Sequence, residues 1–318
     1  MPCCGLDGFG WSLRDMNIKV EGANVCDIED RYSKYLKAIF GDSCKVGKSE
    51  GDVLQMPAQD LLLPVHMLGA GPPCPGWSLI GTGEGALDSR ADVFRMVVEW
   101  VVWLACFGLL AFFLENVEGC NINRSGQGSF MERVKSALEA VLPDFAFDII
   151  TLKASDYMLA QNRTRVFLRG LRKTCCPDRA TIPSAMPPLG PRPLKDFLNM
   201  CLPNTDVKTL TPQLQKNLKD MEKKLKTDFK EGKVTEDSIV CFSIDRKADN
   251  VAFKTYYLKD VVPTLLTGNR YLWVLAISDL EKPVSQRSLS RYLHPKERFA
   301  LQGQRGYIEK HNSNGAVG

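Results

Sequence analysis

Three short stretches carry residue types that could do covalent chemistry on a ring carbon. The first is Gly71-Pro72-Pro73-Cys74-Pro75-Gly76-Trp77-Ser78, which follows the apolar segment 66–70. Prolines on both sides restrict the backbone around Cys74. A helix beginning soon afterwards would favour its thiolate, and a thiolate is suited to attack on an electron-poor ring carbon. The plainer alternative is a buried structural cysteine beside a proline turn. The second stretch, Glu115-Asn116-Val117, directly follows the apolar run 109–114. An acid at the carboxyl end of a strand points into the same cleft as Cys74. If buried, it can stay protonated near neutral pH and donate to a ring nitrogen. A turn-forming Glu-Asn pair is the alternative. The third is Gln161-Asn162-Arg163-Thr164-Arg165. Alternation puts Gln161, Arg163 and Arg165 on one side of an extended segment. Two guanidiniums there suit a phosphate, a carboxylate or a base edge; a basic surface strand would look the same.

The surrounding pattern says what must position these residues. Over residues 1–170, short apolar strands are expected at 18–25, 67–71, 111–116 and 146–152, with helices between them at 30–40, 88–107 and 129–141. That alternation predicts an α/β domain, a parallel sheet with helices on both faces. In such sheets ligands gather at the carboxyl ends of the strands, where Cys74 and Glu115 fall. The stretch 93–114 approaches membrane-span length, but it carries Arg95 and Glu99, and its uninterrupted apolar part runs only from Trp100 to Leu114. That is short of the roughly 20 residues a span needs, so it reads as a buried helix followed by a buried strand.

After Leu171 the character changes. Residues 177–193 are proline-rich and read as a linker or extended crossing segment. A helix then opens with Thr211 as cap and Pro212 at its first position, with Leu214, Leu218, Met221 and Leu225 in one stripe. Its other faces carry Lys216, Lys219, Lys223, Lys224 and Lys226, interspersed with Asp220, Glu222 and Asp228. That pattern fits a solvated face more readily than a phosphate-binding one. Strands are expected at 238–244 and 271–277, and a helix-like end within 287–302.

Taken in order, these residues resemble the cytosine-C5 DNA methyltransferase family. Cys3-Cys4-Gly5-Leu6-Asp7-Gly8-Phe9 looks like the family's opening glycine loop, Asn24-Val25-Cys26-Asp27 like the end of its second strand, and Gly51-Asp52-Val53 like its adenine-facing segment. GPPC at 71–74, ENV at 115–117 and QNRTR at 161–165 match its catalytic motifs, and Arg291 to Gly303 resembles a late one. The resemblance implies a Rossmann-like sheet that binds S-adenosyl-L-methionine, with a smaller target-recognition domain. It divides the chain into a catalytic domain at 1–171, a target-recognition region at 172–286 and a segment at 287–318 that returns to the catalytic domain. It implies that Cys74 attacks C6 of a flipped cytosine, that Glu115 meets N3, and that Arg163 and Arg165 support the base. Gly5, Leu6, Gly8, Phe9, Asp27, Asp52, Val53 and Pro73 would line the cofactor, and Ser78, Gln161, Thr264 and Thr267 would meet double-stranded DNA. No metal is implied. Departures from the family pattern are Asp7 in place of a glycine, Val25 in place of an acid, and a late Asn314-Gly315 placed close behind Gly303. They keep two other functions in view: a non-catalytic DNA-binding relative, and an RNA (tRNA) cytosine-C5 methyltransferase.

The whole chain bounds these readings. Its 318 residues, 44% hydrophobic, suffice for one large core or a core domain with a smaller partner. A net charge of +4 permits a polyanionic ligand without requiring one. Eleven cysteines, an odd number with no zinc-finger spacing, read as reduced thiols in an intracellular compartment, nuclear in a eukaryote. The opening residues lack a basic region leading into an apolar run, so no signal peptide is expected. A monomer without membrane attachment is the simplest expectation.

Overall fold

The computed structural model describes residues 2–5, 8–41, 44–48, 50–61, 64–73, 91–123, 126, 128–176, 178, 181–245, 257–265 and 271–303. Cys74, Leu6, Ser78 and Thr267 therefore lie outside the described residues, as do Asp7 and 304–318. The chain divides into two compact units: one of Met1–Leu152 with Thr164–Met186, the other of Lys153–Arg163 with Pro187–Gly318.

In chain order the first unit holds α1 (Gly8–Asp15), β1 (Val25–Asp27), α2 (Ser33–Phe40), β2 (Cys44–Val46), β3 (Met67–Ala70), α3 (Ala91–Ala105), β4 (Ala111–Val117), α4 (Phe130–Val141) and most of β5 (Phe145–Lys153). After β6 (Gln161–Asn162), which belongs to the other unit, it continues with β7 (Thr164–Arg172). Four strands form a sheet in the order β3-β4-β7-β5. β3 and β4 are parallel, but β7 runs antiparallel to β4. The expectation of a purely parallel sheet is corrected accordingly: β7 follows β5 through a short excursion with no crossover helix, and only a crossover returns a strand parallel. β1 and β2 form a separate parallel pair.

Burial alternates along β4, with Phe112, Leu114 and Asn116 pointing inward. α3 supplies the largest apolar stripe, Phe94, Val97, Trp100, Val101 and Leu104, all essentially buried. At roughly 1.5–3 kcal/mol per fully buried large side chain, this stripe anchors the helix to the sheet. Trp100 also donates Nε1–H to the Met56 carbonyl at 3.1 Å. The apolar stretch 93–114 is thus a buried helix followed by a strand, and no helix among the described residues is long and apolar enough to cross a membrane.

One expectation about strands needs correction. Residues 18–24 form no strand, and only Val25–Asp27 pairs. Alternating apolar residues make a strand only when a neighbouring edge accepts their backbone bonds. Glu115 and Asn116 lie within β4, in keeping with the strand expected at 111–116, and Val117 extends it by pairing with Arg165 of β7.

The second unit contains β6, α5 (Pro212–Lys230), β8 (Ile239–Ser243), β9 (Leu258–Lys259), β10 (Val262–Pro263), β11 (Leu272–Ala276), β12 (Ser290–Tyr292) and α6 (Pro295–Leu301). Its antiparallel sheet has the order β12-β11-β8-β9. The two-residue period divides its core. Val240, Phe242, Trp273 and Leu275 pack with Leu218, Met221 and Leu225 of α5. Cys241, Leu272 and Val274 pack with Leu293 and Leu301 on the opposite face. Thr211 caps α5 by accepting from the Leu214 amide. Of its lysines, Lys224 pairs with Asp228 at 3.1 Å and Lys226 with Glu281 at 2.9 Å, while Lys216, Lys219 and Lys223 are exposed.

Candidate active site

The site is built at the carboxyl ends of β3 and β4. Glu115 and Arg165 sit on adjacent strands, two residues out of register, on the face opposite the buried one. Arg165 Nε donates to Glu115 Oε1 at 2.8 Å, with the two side chains 16% and 25% exposed. The carboxyl is therefore oriented but still reachable. Gly71, just past β3, lies beside it: a Cβ there would stand 3.3 Å from Glu115 Oε2 and 3.8 Å from the Cys3 carbonyl.

From Gly71 the chain runs through buried Pro72 and exposed Pro73, one peptide short of Cys74. Asn116, 1% exposed, fixes this turn. Its Nδ2 donates to the Pro72 carbonyl at 3.2 Å, and its Oδ1 accepts from the Val117 amide at 2.9 Å and from Cys120 Sγ at 3.1 Å. Nothing in the residues flanking Asn116 names this work. The available signal was an amide side chain at an inward position of an alternating strand, which must find partners when buried.

A second cluster forms where β1 and β2 end. Asp27, buried, accepts from the Gly5 amide at 2.8 Å through Oδ2 and from the Glu29 amide at 2.9 Å through Oδ1. The opening loop is thereby held on β1. Gly51 is required here for a steric reason, since a Cβ would lie 2.2 Å from the Asp27 carbonyl oxygen and 2.8 Å from that of Lys45. Asp52 follows and accepts from the Leu54 amide at 3.0 Å. Val53 is buried in the core. Gly5 has φ +54°, and both Gly5 and Gly8 face open space where a side chain would stand. Phe9 meets Phe113 edge-on at 4.7 Å over Gly69. Desolvation raises the Cys3 thiol, with Cys26 and Asp27 adding to the effect, and burial pushes Cys26 up to about 11. Both are thus held as neutral thiols, unsuited to nucleophilic attack at neutral pH.

The structure brings Glu115, Arg165, Gly71 and Cys3 together, and Gly5 with Asp27. The alternation expected through 161–165 is not kept. Gln161 lies in β6, paired with Val262, Arg165 lies in β7, and Arg163 falls between the strands. Gln161 is 1% exposed, and its Nε2 finds no partner among the described residues. Arg163 accepts from the Ala154 amide through its carbonyl at 2.8 Å. Thr264 Oγ1 donates to the Asn162 carbonyl at 2.7 Å, closing the β6–β10 strip.

The family model for C-5 cytosine-specific DNA methylases matches residues 3–307. The chain belongs to that family. It is 29% identical over 173 residues to the type II methyltransferase M.HhaI of Haemophilus parahaemolyticus, covering 52% of this chain and 46% of that protein. It is 30% identical over 172 residues to M.NgoPII of Neisseria gonorrhoeae, covering 53% and 46%. The chain thus spans about half the length of these curated relatives. Among solved structures, the Dnmt2 methyltransferase of S. pombe aligns over 94% of this chain and 83% of its own, with a TM-score of 0.51 and 13% identity. That likeness extends the fold assignment across both units.

Proposed function

We propose that this C-5 methylase family member transfers a methyl group from S-adenosylmethionine to C5 of a flipped cytosine in double-stranded DNA, with Cys74 as nucleophile. The observation that carries the reading is the Glu115 carboxyl, held by Arg165 and facing Gly71 on the loop that reaches Cys74 three residues later. A nucleophile that follows one strand in sequence and an acid within the neighbouring parallel strand can address two positions of one small ring.

In this reading Cys74 Sγ forms a bond to C6, and the ring's electron density moves toward C5. Glu115 meets N3 and stabilises the charge that develops there. Arg165 positions Glu115, and Arg163 supports the base from its own segment. C5 then takes the methyl group, its proton leaves to solvent or a base, and the C6–S bond breaks to restore the aromatic ring and free Cys74. Asn116 keeps the Pro72 carbonyl, and with it the loop entering Cys74, in one place.

The residues present fit the cofactor. Gly5 and Gly8 leave room where side chains would intrude, Asp27 holds the Gly5 amide, and Asp52 and Phe9 offer a carboxylate and a ring edge. Gly5, Leu6, Gly8, Phe9, Asp27, Asp52, Val53 and Pro73 would hold S-adenosylmethionine, which supplies an electrophilic methyl group when bound. Ser78, Gln161, Thr264 and Thr267 are assigned to DNA contact.

The test is covalent trapping. The protein is incubated with S-adenosylmethionine and duplex DNA carrying 5-fluorocytosine, whose fluorine cannot leave as a proton does. A denaturation-resistant adduct that disappears in Cys74→Ser is the expected result. An adduct on tRNA alone would move the substrate to RNA. Silence on both, across mixed sequences, would overturn the catalytic reading in favour of a DNA-binding relative.

A further inference from the structure

α5 carries an outward stripe of lysines that the fold leaves almost without acids. The helix buries Leu218, Met221 and Leu225, together with Asn217 and Asp228. On the opposite side Lys216, Lys219, Lys223, Lys226 and Lys230 recur at steps of three and four residues, which is one helical stripe. In sequence the three acids among these lysines favour a solvated, self-neutralised face. The structure takes two of them away from the stripe. Asp228 points inward, where it pairs with Lys224 at 3.1 Å and Lys233 at 3.4 Å and accepts from the Tyr257 hydroxyl at 3.0 Å. Glu222 holds Arg287 at 2.6 Å. Asp220 alone stays exposed, at the edge of the stripe. Lys226 meets Glu281 at 2.9 Å. Lys216, Lys219, Lys223 and Lys230 are exposed, and none of the four makes an ion pair among the described residues. The imbalance extends through the unit. The second unit holds 24 of the chain's 41 lysines and arginines but only 16 of its 37 acidic residues, so the first unit has an acidic excess and the positive charge is concentrated in the second.

We propose that the outward face of α5 is a phosphate-binding ridge for duplex DNA, one that holds the sugar–phosphate backbone without reading bases. From Lys216 to Lys230 the stripe spans about 21 Å, a length over which one strand of a duplex presents about six phosphates. Like charges at three- and four-residue spacing repel one another and weaken a helix. A polyanion laid along the stripe relieves that repulsion and releases its own counterions in return. The helix contains no arginine. Guanidinium forks are suited to bidentate contact with a base edge, whereas ammonium groups are point charges on flexible stems. Lysines alone therefore follow a line of phosphates and carry no base information. Naming duplex DNA as the polyanion rests on the proposed function.

The test is binding without chemistry. A fluorescent duplex of dA and dT alone is titrated with the full chain, without S-adenosylmethionine, from about 50 to 200 mM salt. With neither cytosine nor methyl donor present, a failure of methyl transfer leaves this result untouched, and working methyl transfer cannot stand in for it. Lys216→Gln, Lys219→Gln, Lys223→Gln and Lys230→Gln together are expected to make the slope of log K against log salt shallower by about 3 and to weaken binding about tenfold or more at 0.15 M salt. Lys34→Gln, Lys37→Gln, Lys45→Gln and Lys48→Gln remove the same charge from exposed positions of the first unit and should change the slope by about 1 or less. Arginine at the four stripe positions should keep both affinity and slope. Should the glutamine set fail to fold, acetylation of the parent chain, read by mass spectrometry, decides instead: the duplex should protect the four stripe lysines and leave Lys34 and Lys37 reactive. Equal losses for the two glutamine sets, a loss confined to RNA, stripe lysines that stay reactive in the complex, or a parent chain that does not bind the duplex would overturn the ridge.

Discussion

Glu115 and Arg165 should fail in different ways when altered. Glu115→Gln keeps the shape and an acceptor for Arg165 but cannot supply a proton. Single-turnover methyl transfer is expected to fall about 10²–10⁴-fold, with unchanged circular dichroism and thermal unfolding. Arg165→Lys keeps the charge and loses the planar fork. Its loss should be largely contained within that of Glu115→Gln, so that the double variant is far less impaired than the product of the two, as expected of residues that act as a unit. Independent, multiplicative losses would show that Arg165 acts on something other than Glu115. Gly71→Ala tests the same spot by volume. Its Cβ would press on Glu115 Oε2 at 3.3 Å, tighter than side chains ordinarily tolerate, so the carboxyl must shift by a few tenths of an ångström. Turnover should drop while Tm holds. Glu115 and Arg165 stood out in the sequence because carboxyl and guanidinium are chemically distinctive, and the structure pairs them. Asn116 did not, because its work depends on pointing inward from β4 toward the Pro72 carbonyl, and direction is a property of the folded strand.

Among the elements, helices were read more faithfully than strands, and the physical reason is locality. α4 begins where Ser129 and Glu132 form a reciprocal cap: the Glu132 amide donates to Ser129 Oγ at 3.1 Å, and the Ser129 amide to Glu132 Oε2 at 2.5 Å. All of that information lies within four residues. Hydrogen bonds from the Ser129 backbone and then its hydroxyl hold the Glu132 carboxyl below its usual range. Ser129→Ala is expected to cost about 1 kcal/mol, and somewhat more because Ser129 Oγ also bonds Asn121 Oδ1 at 3.0 Å; denaturant unfolding measures it, and a cost near zero would mean the cap is idle. α5 was equally readable from Thr211 and Pro212. Strand identity depends instead on partners distant in sequence. Residues 18–24 have an apolar, extended pattern but find no ladder among the described residues, whereas the strand expected at 111–116 forms because β3 and β7 pair with it. The antiparallel entry of β7 into the sheet was likewise invisible, since nothing local distinguishes a strand that returns through a crossover helix from one that turns back.

On the scale of the whole molecule, each unit has its own core, and the two should respond differently to acid. The second unit contains two buried carboxylates held below the ordinary range. For Asp279, fully buried, desolvation by itself raises the value, but the Leu289 amide at 2.8 Å, Lys282 at 3.0 Å and Ser288 at 2.8 Å outweigh it. For Asp228, burial again raises the value, and bonds from Lys224, Tyr257 and Lys233 more than reverse it. A carboxyl whose folded value lies below its unfolded one, near 3.9 for aspartate, binds protons more readily when unfolded. The stability it confers is therefore fully present above that unfolded value and is lost as pH falls toward and through the folded one. Hydrogen exchange between pH 5 and pH 3, corrected for intrinsic rates, should show Leu272–Ala276 losing protection more steeply than Ala111–Val117. Asp279→Asn removes one of the two titrating groups. It should flatten that dependence, while leaving the second unit about 1–3 kcal/mol less stable at neutral pH because an acceptor of three bonds becomes a poorer one. Equal acid sensitivity in the two strands would instead locate the limiting carboxylates outside this pair. A steeper loss confined to β11 would show that the second unit can open while the sheet carrying Glu115 and Arg165 remains folded.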